Sequence, residues 1–106
     1  MLIKAIDIPY KDKLWQYSNP VMVQAKAHKY LGKSATVYKS SRIDKKYMIQ
    51  NKRGKWIHFG GQGYEDYTIH GDKARRESYL RRSTNIRGQW AKDDYSPNSL
   101  SIKLLW

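Results

Sequence analysis

Hydrophobic positions along the chain change their spacing several times, and each change marks out an element. Leu2 to Ile8 mixes apolar and β-branched residues and stops at Pro9, which predicts a short strand. Residues 10–18 form a polar connection with Trp15 as its anchor into a core. From Pro20 to Leu31 the spacing turns helical. Val23, Ala27, Tyr30 and Leu31 fall at i, i+4, i+7 and i+8, one apolar stripe. Asn19 suits the N-cap, Pro20 the first helical position and Gly32 the stop. Lys26, Lys29 and Lys33 follow one another on a second face of the same helix.

An alternating pattern then takes over. Ala35 to Ser40, Lys46 to Gln50 and Lys55 to Phe59 read as strands. The last two flank Asn51-Lys52-Arg53-Gly54, a short polar link ending in glycine, and so predict a β-hairpin. Tyr47 and Ile49 alternate on one arm and Ile57 and Phe59 on the other. Trp56 and His58 lie opposite them, which implies one packed face and one available face. Gly60, Gly61 and Gly63 are expected to break the second arm as a flexible turn. They are no P-loop, because no Lys-Ser/Thr follows and Glu65 and Asp66 would repel phosphate.

Asp72 is a fitting N-cap for a second helix, running to about Arg82 or Ser83. That helix is poor in apolar residues, and Arg75, Tyr79 and Arg82 share one face. Residues 83–95 are irregular, with Trp90 as an anchor. Ser96-Pro97 then opens a terminal element containing Leu100, Ile102, Leu104, Leu105 and Trp106. So apolar an end docks on the domain's own core or inserts into a neighbour. The second outcome makes Leu104, Leu105 and Trp106 candidate partner-docking residues. The pattern as a whole predicts an α+β domain: a small antiparallel sheet of three to four strands with one clear hairpin, packed with two to three short helices.

Composition sets limits on this picture. A chain of 106 residues fits a single domain, and its 14 aromatic residues are too many for a disordered one. Without cysteine there are no disulfides, thiolate metal sites or cysteine nucleophiles. No apolar run approaches the roughly 18 residues of a membrane span, and the start lacks the apolar stretch of a signal peptide. A soluble, intracellular protein is expected.

Charge changes the picture more. The 21 Lys and Arg outweigh 9 Asp and Glu, for a net +12. The excess is concentrated: residues 26–55 hold ten basic groups against Asp44, and residues 73–87 hold six against Glu77. Between them, residues 56–72 carry Glu65, Asp66 and Asp72 and no Lys or Arg. Repulsion on this scale is tolerated where something negative covers it. A hairpin tip with Lys52, Arg53 and Lys55 can contact phosphates, and Arg75 and Arg82 flanking Tyr79 suit phosphate contact with base stacking.

Catalytic chemistry finds little support. His28, His58 and His70 lack the spacing that puts two metal ligands on one helical face. A metal-dependent nuclease assembled from His58, Asp66, His70 and Asp72 is the weakest of three readings. Neither a cofactor nor a metal is expected, and the protein reads as no enzyme.

From about residue 45 onward the chain resembles a family of small basic proteins of large nucleocytoplasmic DNA viruses of algae and amoebae. Similar segments occur in head proteins of some marine tailed phages. The resemblance rests on Ile57-His58-Phe59-Gly60, on Gly63-Tyr64, Asp66-Tyr67-Thr68, His70 and Asp72, and on Arg75-Arg76, Tyr79-Leu80 and Arg82. Trp90 and Leu104-Leu105-Trp106 complete it. The chain departs from the family at Ser83, where a histidine is usual, and at Asn98-Ser99, where an aromatic residue and a glycine are usual. Residues 1–40 have no counterpart there and read as a lineage-specific addition. The resemblance implies a viral setting, in the virion or the virus factory of the host cytoplasm, and no mechanism.

Two expectations follow. In the first, the protein binds nucleic acid, DNA in preference to RNA, mainly through phosphates. Its binding residues are then Lys26, Lys29, Lys33, Lys52, Arg53, Lys55, Arg75, Arg76 and Arg82, with Trp56 and Tyr79 for stacking. In the second it is a minor capsid or cement protein, whose basic face meets an acidic assembly partner.

Overall fold

Helix α1 (Pro20–Leu31) forms with the bounds its caps predict. The Asn19 side-chain oxygen accepts hydrogen bonds from the Val21 and Met22 amides, both at 3.1 Å. Val23 and Ala27 are fully buried, and their neighbour Gln24 is buried beside them. That glutamine is satisfied at both ends. Its Nε2 donates to the Ala35 carbonyl and its Oε1 accepts from the Val37 amide, each at 2.8 Å. It thereby ties α1 to the segment that enters the sheet. The computed structural model in which these contacts are seen describes residues 1–106.

Strands β1 (Tyr38–Lys39), β2 (Lys45–Gln50) and β3 (Trp56–Gly61) form an antiparallel sheet in that order. Tyr47 faces Phe59, Ile49 faces Ile57 and Met48 faces His58. The predicted hairpin is therefore present, with the Asn51 side chain closing its turn onto the Arg53 and Lys55 amides at 2.9 and 3.0 Å. The expected first strand is reduced to a single bridge between Lys4 and Tyr38. After it the chain turns into a 3-10 helix, Ala5–Asp7. That turn puts Ala5 and Ile8 on one side, where both are buried, and an extended run to Ile8 would not do so.

Three further features bear on the expected pattern, and the last corrects it. In the 10–18 connection Trp15 packs half-buried against the core as expected and donates to the Ile8 carbonyl at 3.2 Å, and its neighbour Leu14 is fully buried in a 3-10 turn, Lys13–Gln16. A short helix α2 (Tyr67–His70), capped by Asp66, had no periodic signal at all. Glycines 60 and 61 do not break β3, which runs through both. Gly60 sits at φ +81, and a Cβ there would lie 2.9 Å from Leu105 Cδ1. Both the left-handed backbone angle and the close approach call for glycine there.

Helix α3 (Lys73–Thr84) follows the Asp72 cap, and α4 (Pro97–Leu100) follows Ser96 and continues as a π-helical turn, Ser101–Leu105. Tyr47, Ile49 and Phe59 from the sheet, Val23 and Ala27 from α1, and Leu100, Leu104 and Leu105 from this end make up most of one core. The α+β architecture is the expected one. No helix is long and apolar enough to cross a membrane.

Candidate functional site

Helix α3 is the most exposed regular element of the molecule. Asp72 caps it by accepting from the Ala74 and Arg75 amides at 3.0 and 3.2 Å. Lys73, Arg75, Arg76, Arg81 and Arg82 are all exposed along its length, with Glu77 as the one acid. Few contacts hold the helix down. Tyr79 stacks on Trp106 with ring centroids 4.2 Å apart and planes 9° from parallel. Arg76 donates through Nε to the main-chain oxygen of Trp106 at 2.7 Å, and its guanidinium lies 5.5 Å from the centre of the Tyr67 ring. Asn98 reaches the Ser83 carbonyl at 3.0 Å.

Between α3, the glycine end of β3 and α4 lies a cleft of about 910 Å³. Lys45, Arg75 and Arg82 line it together with Tyr64, Tyr79 and Trp106. Arg75 is partly neutralised by Glu65 at 2.9 Å, whereas Lys45 and Arg82 have no carboxylate partner. Thus the face expected to carry Arg75, Tyr79 and Arg82 is real, and the structure adds Lys45, Tyr64 and Trp106 to it. Stacking on Trp106 leaves Tyr79 with one ring face already covered.

Under the cleft lies a buried ion pair. Lys46 Nζ meets Asp66 Oδ2 at 3.2 Å, with side chains only 2% and 1% exposed. Burial pulls the Lys46 ammonium down from its ordinary pKa, against the pull of Asp66. Asp66 Oδ1 accepts from the amide and hydroxyl of Thr68. The Thr68 hydroxyl also lies 3.2 Å from Ser18 Oγ, which accepts from the Tyr47 hydroxyl at 2.6 Å. This network joins β2, α2 and the entry to α1. Nothing in the spacing of residues 18, 46 and 66 announced it.

The four residues weighed as a metal-dependent nuclease do not converge. His58 Nδ1 is bonded to Ser40 Oγ at 2.7 Å, Asp66 is taken by Lys46, and Asp72 caps α3. His70 Nδ1 accepts from the Asp72 amide at 2.9 Å, which places its proton on Nε2. That nitrogen is buried without a hydrogen-bond partner, and the ring lies 5.2 Å from the Trp106 ring. Burial and then the Arg75 charge lower the pKa of His70. No group of three or more metal-ligating side chains comes together.

The remaining expected binding residues fall into two groups. Lys26 is half-buried on α1, and burial and then the Arg76 charge lower its pKa, with Asp66 opposing. Lys29 is exposed on α1, whereas Lys33 is exposed beyond the helix, after Gly32 at φ +110, and so does not extend the expected lysine row of that face. At the other end of the sheet, Lys52 and the Ser34–Thr36 segment that follows Lys33 line one groove of about 280 Å³. Lys52, Arg53 and Lys55 are exposed there. Six residues of β2 separate the two ends, about 17 Å in a strand.

Leu104 and Leu105 are corrected as partner-docking residues. They are 0% and 1% exposed inside the core, so the apolar end docks within its own chain, and Trp106 is half-buried against Tyr79. Of the 21 Lys and Arg, four pair with carboxylates: Lys39 with Asp12, Arg42 with Asp44, Lys46 with Asp66 and Arg75 with Glu65. Seventeen carry no such partner.

Residues 35–83 match the model of a family of unknown function, DUF5754. The matched segment contains the whole sheet, the Lys46–Asp66 pair, α2 and all but the last residue of α3. No curated protein and no solved structure matches the chain.

Proposed function

We propose that this is a non-enzymatic basic protein that binds nucleic acid, DNA in preference to RNA, mainly through phosphates. Its principal contact surface is α3 with the adjoining cleft. The observation that carries this reading is the charge balance of the folded chain: seventeen cations lack a carboxylate partner, and α3 presents five basic side chains to solvent. A helix held by so few contacts gains little from its own core, so its exposed arginines fit a partner better than they fit stability. Arg75, Arg76 and Arg82, joined by Lys26 and Lys45, contact phosphates; Tyr79 and Trp106 form the apolar wall of the cleft. The resemblance to viral proteins supplies the setting, a virion or a virus factory.

The test is a salt titration of DNA binding. Neutralising about six phosphates predicts a log–log slope of about −5, a loss on the order of a thousandfold in affinity from 50 to 200 mM salt. The loss should be alike for unrelated sequences. Binding that ignores salt, or no binding at low salt, would contradict the proposal.

A further inference from the structure

One face of the sheet lies outside the main apolar cluster. Tyr38, Met48, Trp56 and His58 lie side by side on it, since Tyr38 pairs with Met48 and Met48 with His58. Met48 is buried outside the main apolar cluster, and neither Tyr38 nor Trp56 packs against that cluster. Tyr38, Trp56 and His58 are half-buried, and Met48 lies beneath them at 4% exposure. Tyr38 and Trp56 meet edge to face, centroids 5.4 Å apart and planes at 82°. Ser40 holds the His58 ring at 2.7 Å, and Gln50 stands exposed opposite Trp56.

Charge frames this aromatic surface. Residues 38–61 carry seven basic side chains against Asp44 alone. Lys39, Arg42 and Lys46 are paired with carboxylates. The free cations are Lys45 at one end of β2 and Lys52, Arg53 and Lys55 at the other. An uncharged aromatic middle with cations at both ends suits a chain whose charges run along its backbone and whose flat rings project from it. An acidic protein surface would need cations across the middle as well. A duplex hides its rings, so its bases could not use the aromatic ones.

We infer that this open sheet face, through Tyr38, Trp56 and His58, stacks bases of a single-stranded nucleic acid whose phosphates lie along Lys45 and the Lys52–Lys55 turn. The inference rests on the proposed phosphate-binding function and adds to it the form of nucleic acid and a second contact surface. Base–aromatic stacking is insensitive to sequence, because every base has a flat face. Edge-to-face packing of Tyr38 on Trp56 leaves a corner in which a base can lie on one ring and abut the other.

The experiment compares the full chain with Trp56→Leu, which keeps apolar bulk without a ring, and Trp56→Phe, which restores an aromatic one. Binding is measured by anisotropy for a labelled oligothymidine of about twelve nucleotides, a duplex of equal length, and heparin, a polyanion without bases. Circular dichroism confirms the fold of each variant. Trp56→Leu should weaken single-strand binding about 5- to 150-fold, Trp56→Phe should recover most of it, and heparin and duplex binding should be unchanged. Equal losses for heparin and the single strand would overturn the platform. So would binding that is indifferent to Trp56, and in that case salt-dependent duplex binding would leave the phosphate reading standing. Failure of all three probes to bind would remove both.

Discussion

At the scale of single residues the buried Lys46–Asp66 pair governs how β2 meets α2. Taking two charges out of water is costly, and the pair persists because Asp66 is also held by Thr68 and Lys46 has a carboxylate at 3.2 Å. Removing one partner strands the other. Lys46→Met should destabilise the fold by about 3–5 kcal/mol, read as a lower denaturant midpoint. Adding Asp66→Asn should recover part of that loss, because no uncompensated charge then remains. A fully additive double variant would show that the two groups do not stabilise each other. Neither role was legible in the sequence. Lys46 occupies an alternating position that reads as solvent-facing, and Asp66 lies twenty residues away with only local helix-capping chemistry to mark it. Gly60 was misread for a related reason. A glycine ends a strand or admits a close neighbour, and the choice depended on Leu105, far along the chain.

Among the elements, those whose signals are local were the ones legible in advance. Helix α1 declares itself by Asn19, Pro20, Gly32 and its apolar stripe, and the hairpin by alternation on both sides of Asn51–Gly54. The first strand was overread because apolar and β-branched composition does not distinguish a strand from a turn that buries Ala5 and Ile8. Helix α2, four residues long, is too short to show a period. In α3 the Asp72 cap was visible, but its anchor Trp106 was not, since the stack joins residues far apart in sequence. A twelve-residue helix is marginal on its own. Tyr79→Ala removes a stacked pair worth about 0.5–1.5 kcal/mol beyond its buried area. Amide hydrogen exchange should accelerate across α3 while β2 and β3 keep their protection. Equal acceleration in the sheet would mean that α3 is an integral part of the core instead of a displayed helix.

For the whole molecule, the sequence revealed how much charge there is and in which stretches, but not where folding would carry it. The Arg76 charge is felt at Lys26, fifty residues away in sequence, and the chain after Lys33 runs past the hairpin tip. Two clusters of positive side chains stand at the ends of the sheet, on α3 and at the hairpin tip, and the molecule's carboxylates are largely spent on caps and internal pairs. A surface left so uncompensated is the physical basis for proposing a polyanionic partner. The most direct measurement is the salt slope of DNA binding for the intact chain and for the triple variant Arg75→Gln, Arg76→Gln, Arg82→Gln, with helicity checked in both. If these arginines neutralise phosphates, the slope of log affinity against log salt becomes shallower by about 3, and affinity at low salt falls for all sequences alike. An unchanged slope would contradict the assignment of α3 as the phosphate-contacting surface.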